Sequence, residues 1–125
     1  MLFKKLLILV MFISGTFING QAQKMEDYSK NWKKIASLEK QGLTASALKE
    51  VNNVFSLALA SGNEAQQVKS VMYQMKYRNL VELDNRENNI FYIDTLVAKT
   101  KAPVKNILQS MQAEMFWQYL QNNRW

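Results

Sequence analysis

The sequence predicts an all-α protein: a short antiparallel array of helical hairpins of the tetratricopeptide kind, or a five-helix bundle, behind a cleaved signal peptide. Three observations carry this. Apolar residues recur every three to four positions through five stretches between residues 27 and 122, the period of an amphipathic helix. The breaks fall at Gly42, Gly62 and Pro103, the only proline in the chain, and these residue types punctuate helices. No segment alternates with the two-residue period of a half-buried strand. Phe91-Tyr92-Ile93 comes nearest, and it sits inside a helical pattern.

The first segment is expected to lie outside the fold. Lys4 and Lys5 open it, and Leu6 to Ile18 forms an apolar run interrupted by Ser14, Gly15 and Thr16. Gly20 and Ala22 then supply small residues at the −3 and −1 positions of a cleavage site. Residues 1–22 therefore read as a secretory signal peptide with cleavage after Ala22. The competing reading, an uncleaved anchor, needs a span of about twenty apolar residues, longer than this run. A lipoprotein is excluded because the acylated cysteine is absent. The expected mature unit is a single helical domain, residues 23–125, exported to the periplasm or cell envelope of a Gram-negative bacterium. No stable membrane insertion is expected after cleavage.

Each helix has its own signature. The first is expected from about Asp27 to Lys40, with Tyr28, Trp32, Ile35 and Leu38 on one face and Gly42 suited to a left-handed C-terminal position. The second runs from about Thr44, a plausible N-cap, to Ala60, with Ala47, Leu48, Val51, Val54, Phe55 and Ala58 as its stripe. The third runs from about Glu64 to Tyr77, facing inward through Val68, Val71, Met72 and Met75. Residues 78–86 form the longest loop candidate, although Leu80, Val81 and Leu83 could add a turn to the third helix. The fourth covers about Glu87 to Lys99, with Ile90, Ile93, Leu96 and Val97 inward. The fifth covers about Pro103 to Asn122, with Val104, Ile107, Leu108, Met111 and Met115 on one face. Helices joined by such short turns pack antiparallel with their neighbours.

Composition removes whole classes of chemistry. There is no cysteine and no histidine, which excludes disulfides, thiol nucleophiles, Ser-His or Cys-His catalysis, and thiolate or imidazole metal sites. The carboxylates are scattered. Glu26-Asp27 and Glu82-Leu83-Asp84 read as solvated surface, and Glu82, Asp84 and Glu87 lack the alternating ligands and central glycine of a calcium loop. No glycine-rich phosphate cradle occurs. The chain is therefore expected to be no enzyme and to hold no cofactor or metal. Its net charge is +6; two of its sixteen basic residues fall in residues 1–22, leaving fourteen against ten acidic ones, or +4. The lysines are spread along the chain, which argues against a nucleic-acid footprint.

The densest aromatic cluster is Phe116, Trp117 and Tyr119 with Leu120, followed by Arg124 and Trp125. An apolar stripe at helical spacing ordinarily fills a core. The alternative is an interaction surface, because this helix is apolar on more sides than one neighbour covers, and aromatics with arginine populate interface centres. A chain ending in Trp125 without a polar tail is also expected to continue or dock.

The run Trp32…Leu38-Glu39-Lys40-Gln41-Gly42-Leu43…Ser46-Ala47-Leu48, then Ile107-Leu108-Gln109-Ser110…Ala113-Glu114…Trp117-Gln118-Tyr119, then Asn123-Arg124-Trp125, carries a resemblance. It resembles the N-terminal helical region of α-2-macroglobulin family proteins of Bacteroidetes-type bacteria, over residues 28–125. The resemblance implies a truncated or stand-alone piece of an exported, protease-inhibitor-type protein. That family's β-sandwich macroglobulin domains, and the thioester of some members, have no counterpart in these residues, and no functional residue transfers. The expected function is a non-catalytic exported interaction module that docks on a protein partner or on the missing macroglobulin body. The alternative is a stand-alone periplasmic helical-repeat adaptor, whose sign would be a concave polar groove.

Overall fold

The computed structural model describes residues 27–81 and 86–124. Among these residues five helices follow one another: α1 (Ser29–Lys40), α2 (Thr44–Ser61), α3 (Glu64–Val81), α4 (Arg86–Lys99) and α5 (Val104–Asn122). No strand occurs among the described residues. The all-α class and the number and order of the helices agree with the sequence reading. The predicted signal peptide, the carboxylates Glu82 and Asp84, and Trp125 fall outside the described residues.

The helix ends show which local rules operate. At the end of α1 the Gly42 N–H bonds Glu39 O and the Leu43 N–H bonds Leu38 O, both at 3.0 Å. This paired pattern needs a left-handed residue, and Gly42 has φ +73°. A Cβ at Gly42 would meet nothing within 4 Å, so the cost of adding one is purely backbone. Gly42→Ala is therefore expected to cost about 1 kcal/mol by urea unfolding, with no change in packing. Gly62, at φ +67°, closes α2 the same way, with Asn63 N–H on Ala58 O at 2.9 Å. Asn63 then caps α3, its Oδ1 accepting the Gln66 N–H at 3.1 Å.

Several boundaries move. Thr44 is the first residue of α2 and not its cap; Leu43 stands at that position and offers no side-chain bond. α1 begins at Ser29, whose N–H is held by Asp27 Oδ1 at 3.0 Å. α3 continues one turn past Tyr77 to Val81, into the stretch read as a loop. Its extra turn is held by α4: Arg78 Nε donates to Asn89 Oδ1 at 2.8 Å, and Asn89 Nδ2 donates to Asn79 Oδ1. The Arg78 guanidinium also lies 4.1 Å over the Tyr92 ring. Pro103 stands just before α5 at its N-cap, after a cis peptide bond.

The most extensive pairings are α2 with α3, α1 with α2, and α4 with α5, while α5 also crosses α3. The α2–α3 hairpin is a wall between two apolar cores. On one side Ala47, Val51, Val54 and Ala58 of α2 meet Tyr28 and Ile35 from the α1 end and Tyr77 from α3. Alanine and valine on that edge let α1 approach closely. On the other side Phe55 of α2 and Val71 of α3 meet Leu96 and Val97 of α4 and Val104 and Leu108 of α5. Each fully buried side chain of this size contributes about 1.5–3 kcal/mol by leaving water.

Candidate functional site

The α5 surface divides sharply around its axis. At 100° per residue, Val104, Leu108, Met111 and Met115 share one side. Val104 and Leu108 are fully inside, and Met111 packs against their core. A neighbouring edge faces α4: Gln112 Nε2 donates to Asp94 Oδ1 at 3.3 Å, and the Tyr119 hydroxyl donates to Glu87 Oε1 at 2.7 Å. That hydrogen bond, and then the charge of Glu87, raise the Tyr119 hydroxyl above its ordinary pKa.

Phe116, Trp117 and Leu120 lie outside both edges. They are 47%, 54% and 58% exposed. Leu120 lies one turn from each of the other two, i+4 from Phe116 and i+3 from Trp117, so the three share one side of a regular helix, and Arg124 follows them, also exposed. The core-filling reading of this cluster is therefore corrected. Of the residues read as a possible interaction surface, the structure brings Phe116, Trp117 and Leu120 together in the open, turns Tyr119 toward α4, and leaves Arg124 beside the patch. The physical reason is angle: at 100° per residue these three point away from both the core side and the α4 edge, although α4 reaches as far along the helix as Tyr119 through Glu87.

A second feature lies between α3 and α5. Met75, Ile107, Met111 and Met115 wall an open, apolar cavity of about 510 Å³. Asn79, Ser110 and Glu114 stand among them. Two inward assignments are corrected: Ile107, on the groove wall, is 43% exposed, and Met72, outside the groove, is 58% exposed. Sequence reasoning missed the groove because the methionines and Ile107 share the period of a core stripe. The width of that stripe on α5 was the signal available.

A third feature joins α1 to α3, whose backbones make no close approach. Half-buried Trp32 donates from Nε1 to Gln66 Oε1 at 2.7 Å, and its ring centroid is 4.9 Å from that of Tyr73. Lys69 Nζ sits 4.0 Å over the Trp32 ring. Further along, Glu39 takes a hydrogen bond from Lys76 Nζ and another from the Tyr77 hydroxyl, the latter at 2.7 Å. The Lys76 bond first, and the Tyr77 bond second, hold the Glu39 carboxyl below its ordinary pKa. Lys76 is raised in turn, chiefly by the same bond. Burial, with Glu39's hydrogen bond second, pushes the Tyr77 hydroxyl far up. These groups are consumed by one another in holding α1 in place.

Among the described residues no three acidic side chains converge in a way that could hold a metal ion, and no helix is long and apolar enough to cross a membrane. Set against known protein families, curated proteins and solved structures, the chain matches none. The class defined by the fold and the site is thus an all-α hairpin protein carrying an uncovered aromatic patch on its last described helix.

Proposed function

We propose that the chain is a non-catalytic, exported interaction module whose contact surface is the Phe116, Trp117 and Leu120 patch of α5. The observation that carries this is the half exposure of three large apolar side chains, side by side, on a well-formed helix. Single exposed apolar residues are ordinary; two large aromatics and a leucine on one side of a helix are not, and aromatics populate the centres of interfaces. Arg124 beside them adds the residue type most enriched with aromatics at such centres.

The finer part of the proposal rests on the sequence patterns. Their resemblance to the leading helices of macroglobulin family proteins makes a β-sandwich body of that family the natural cover for the patch. The stand-alone adaptor reading gains less support, because the groove between α3 and α5 is apolar and not polar.

The test is a charge-bearing double variant, Phe116→Glu with Trp117→Glu. The unchanged chain is expected to bind an apolar fluorescent dye and to associate as its concentration rises, by light scattering. The variant is expected to lose both while its thermal unfolding stays within about 0.5 kcal/mol, as for any surface substitution. A macroglobulin-type β-sandwich domain titrated into both should be retained by the unchanged chain only. An unfolded variant, or an unchanged dye signal, would show that the two aromatics are not a contact surface.

A further inference from the structure

We propose that the groove between α3 and α5 is a binding site for a small apolar cation, of the alkylammonium or arylammonium class. This site is separate from the α5 patch, and the inference does not depend on that patch having a partner.

Size selects the kind of ligand. The cavity measures about 510 Å³, within the roughly 300–1,000 Å³ range of single small-molecule sites. Its seven lining residues are far fewer than the roughly 20–30 per side of a stable protein interface. A docked helix would bury too little here; a small molecule lying along the groove would bury one face against its methionine wall.

The walls select its apolar part. Three of the lining residues are methionines, which are unbranched, polarisable and able to close around varied shapes. Met75 and Met111 belong to the edge of the second core, so the inner wall is fixed while the rim stays open.

Charge selects its head group. Among the described residues Glu114 is the only ionisable one lining the groove, and no lysine or arginine does so. Glu114 Oε1 receives one hydrogen bond, from Gln118 Nε2 at 2.9 Å, and a carboxylate offers about four acceptor positions. Asn79 and Ser110 add neutral polar atoms beside it. The chain as a whole carries +6, so its overall field draws anions. A preference for cations must therefore come from Glu114 itself, which makes the sign of the preference diagnostic.

Titration calorimetry of the full chain tests this with decyltrimethylammonium, decanol and decyl sulfate, each kept monomeric. Binding at the groove is defined as the part lost in Ser110→Phe, which fills the opening from an exposed position. The expected result is one saturable site that takes the ammonium about fivefold more tightly than decanol, the worth of one exposed ion pair. Glu114→Gln should erase that preference and leave decanol binding unchanged. The Phe116→Glu, Trp117→Glu variant should bind as the unchanged chain does. No saturable binding, a preference for the sulfate, or a preference that survives Glu114→Gln would overturn the proposal.

Discussion

Leu108→Ala should lower stability by about 3 kcal/mol, while Leu120→Ala, the same change twelve positions along the same helix, should cost no more than about 0.5 kcal/mol. Leu108 is 0% exposed and Leu120 is 58% exposed. Leu108 touches the core built from Phe55, Val71, Leu96, Val97 and Val104. Truncating it removes the transfer energy of three carbons and leaves a cavity that rigid helices cannot fully close. Leu120 already meets water, so its removal opens nothing. For a domain of this size the first change corresponds to a drop on the order of 15 °C in melting temperature. The pair is informative because it is matched for chemistry and for helix. Equal losses would place Leu120 in a core and remove the patch on which the interaction reading stands.

The same contrast explains what could be read from residues alone. Periodicity identifies which positions of a helix are apolar, and it located all five helices and both glycine stops. It carries no information on how far a neighbour extends. The stripe Val104, Ile107, Leu108, Met111 and Met115 is regular, yet Leu108 is sealed, Ile107 is 43% exposed and Met115 borders an open groove. Met72 shows the same failure on α3. It lies one turn from Met75 in the stripe, but it is 58% exposed. The surplus of apolar surface on α5 was visible as composition; its division into core, groove and outer patch depends on where α3 and α4 pack against it. The extra turn of α3, open in the sequence as an alternative to a loop, was undecided there for a different reason. Arg78 and Asn79 look like loop residues until Asn89, ten positions away, supplies their partner.

The attachment of α1 gives the second large effect. Tyr77→Ala is expected to cost about 4 kcal/mol, and Tyr77→Phe only a small part of that. The ring is 0% exposed and packs in the core shared by Tyr28, Ile35 and Val54. Its hydroxyl reaches Glu39 of α1 at 2.7 Å, so removing oxygen alone spares the ring's burial. The aromatic contacts run from Tyr77 through Tyr73 to Trp32, the route by which α1 holds to a helix its backbone does not approach. Loss of the ring should therefore loosen α1 first, seen as faster amide exchange in residues 29–40 than in α4. The acid response follows from Glu39. Its folded pKa is depressed, so its contribution is present above the ordinary carboxylate range and is lost as pH falls through the folded value. Glu39→Gln should accordingly melt below the unchanged chain at pH 7, and the two curves should converge under acid. Lys76 acts at the opposite end: its raised pKa makes its share present at neutral pH and lost only as the solution becomes strongly alkaline. A Glu39→Gln difference that persisted at low pH would mean that shape, and not charge, joins α1 to α3.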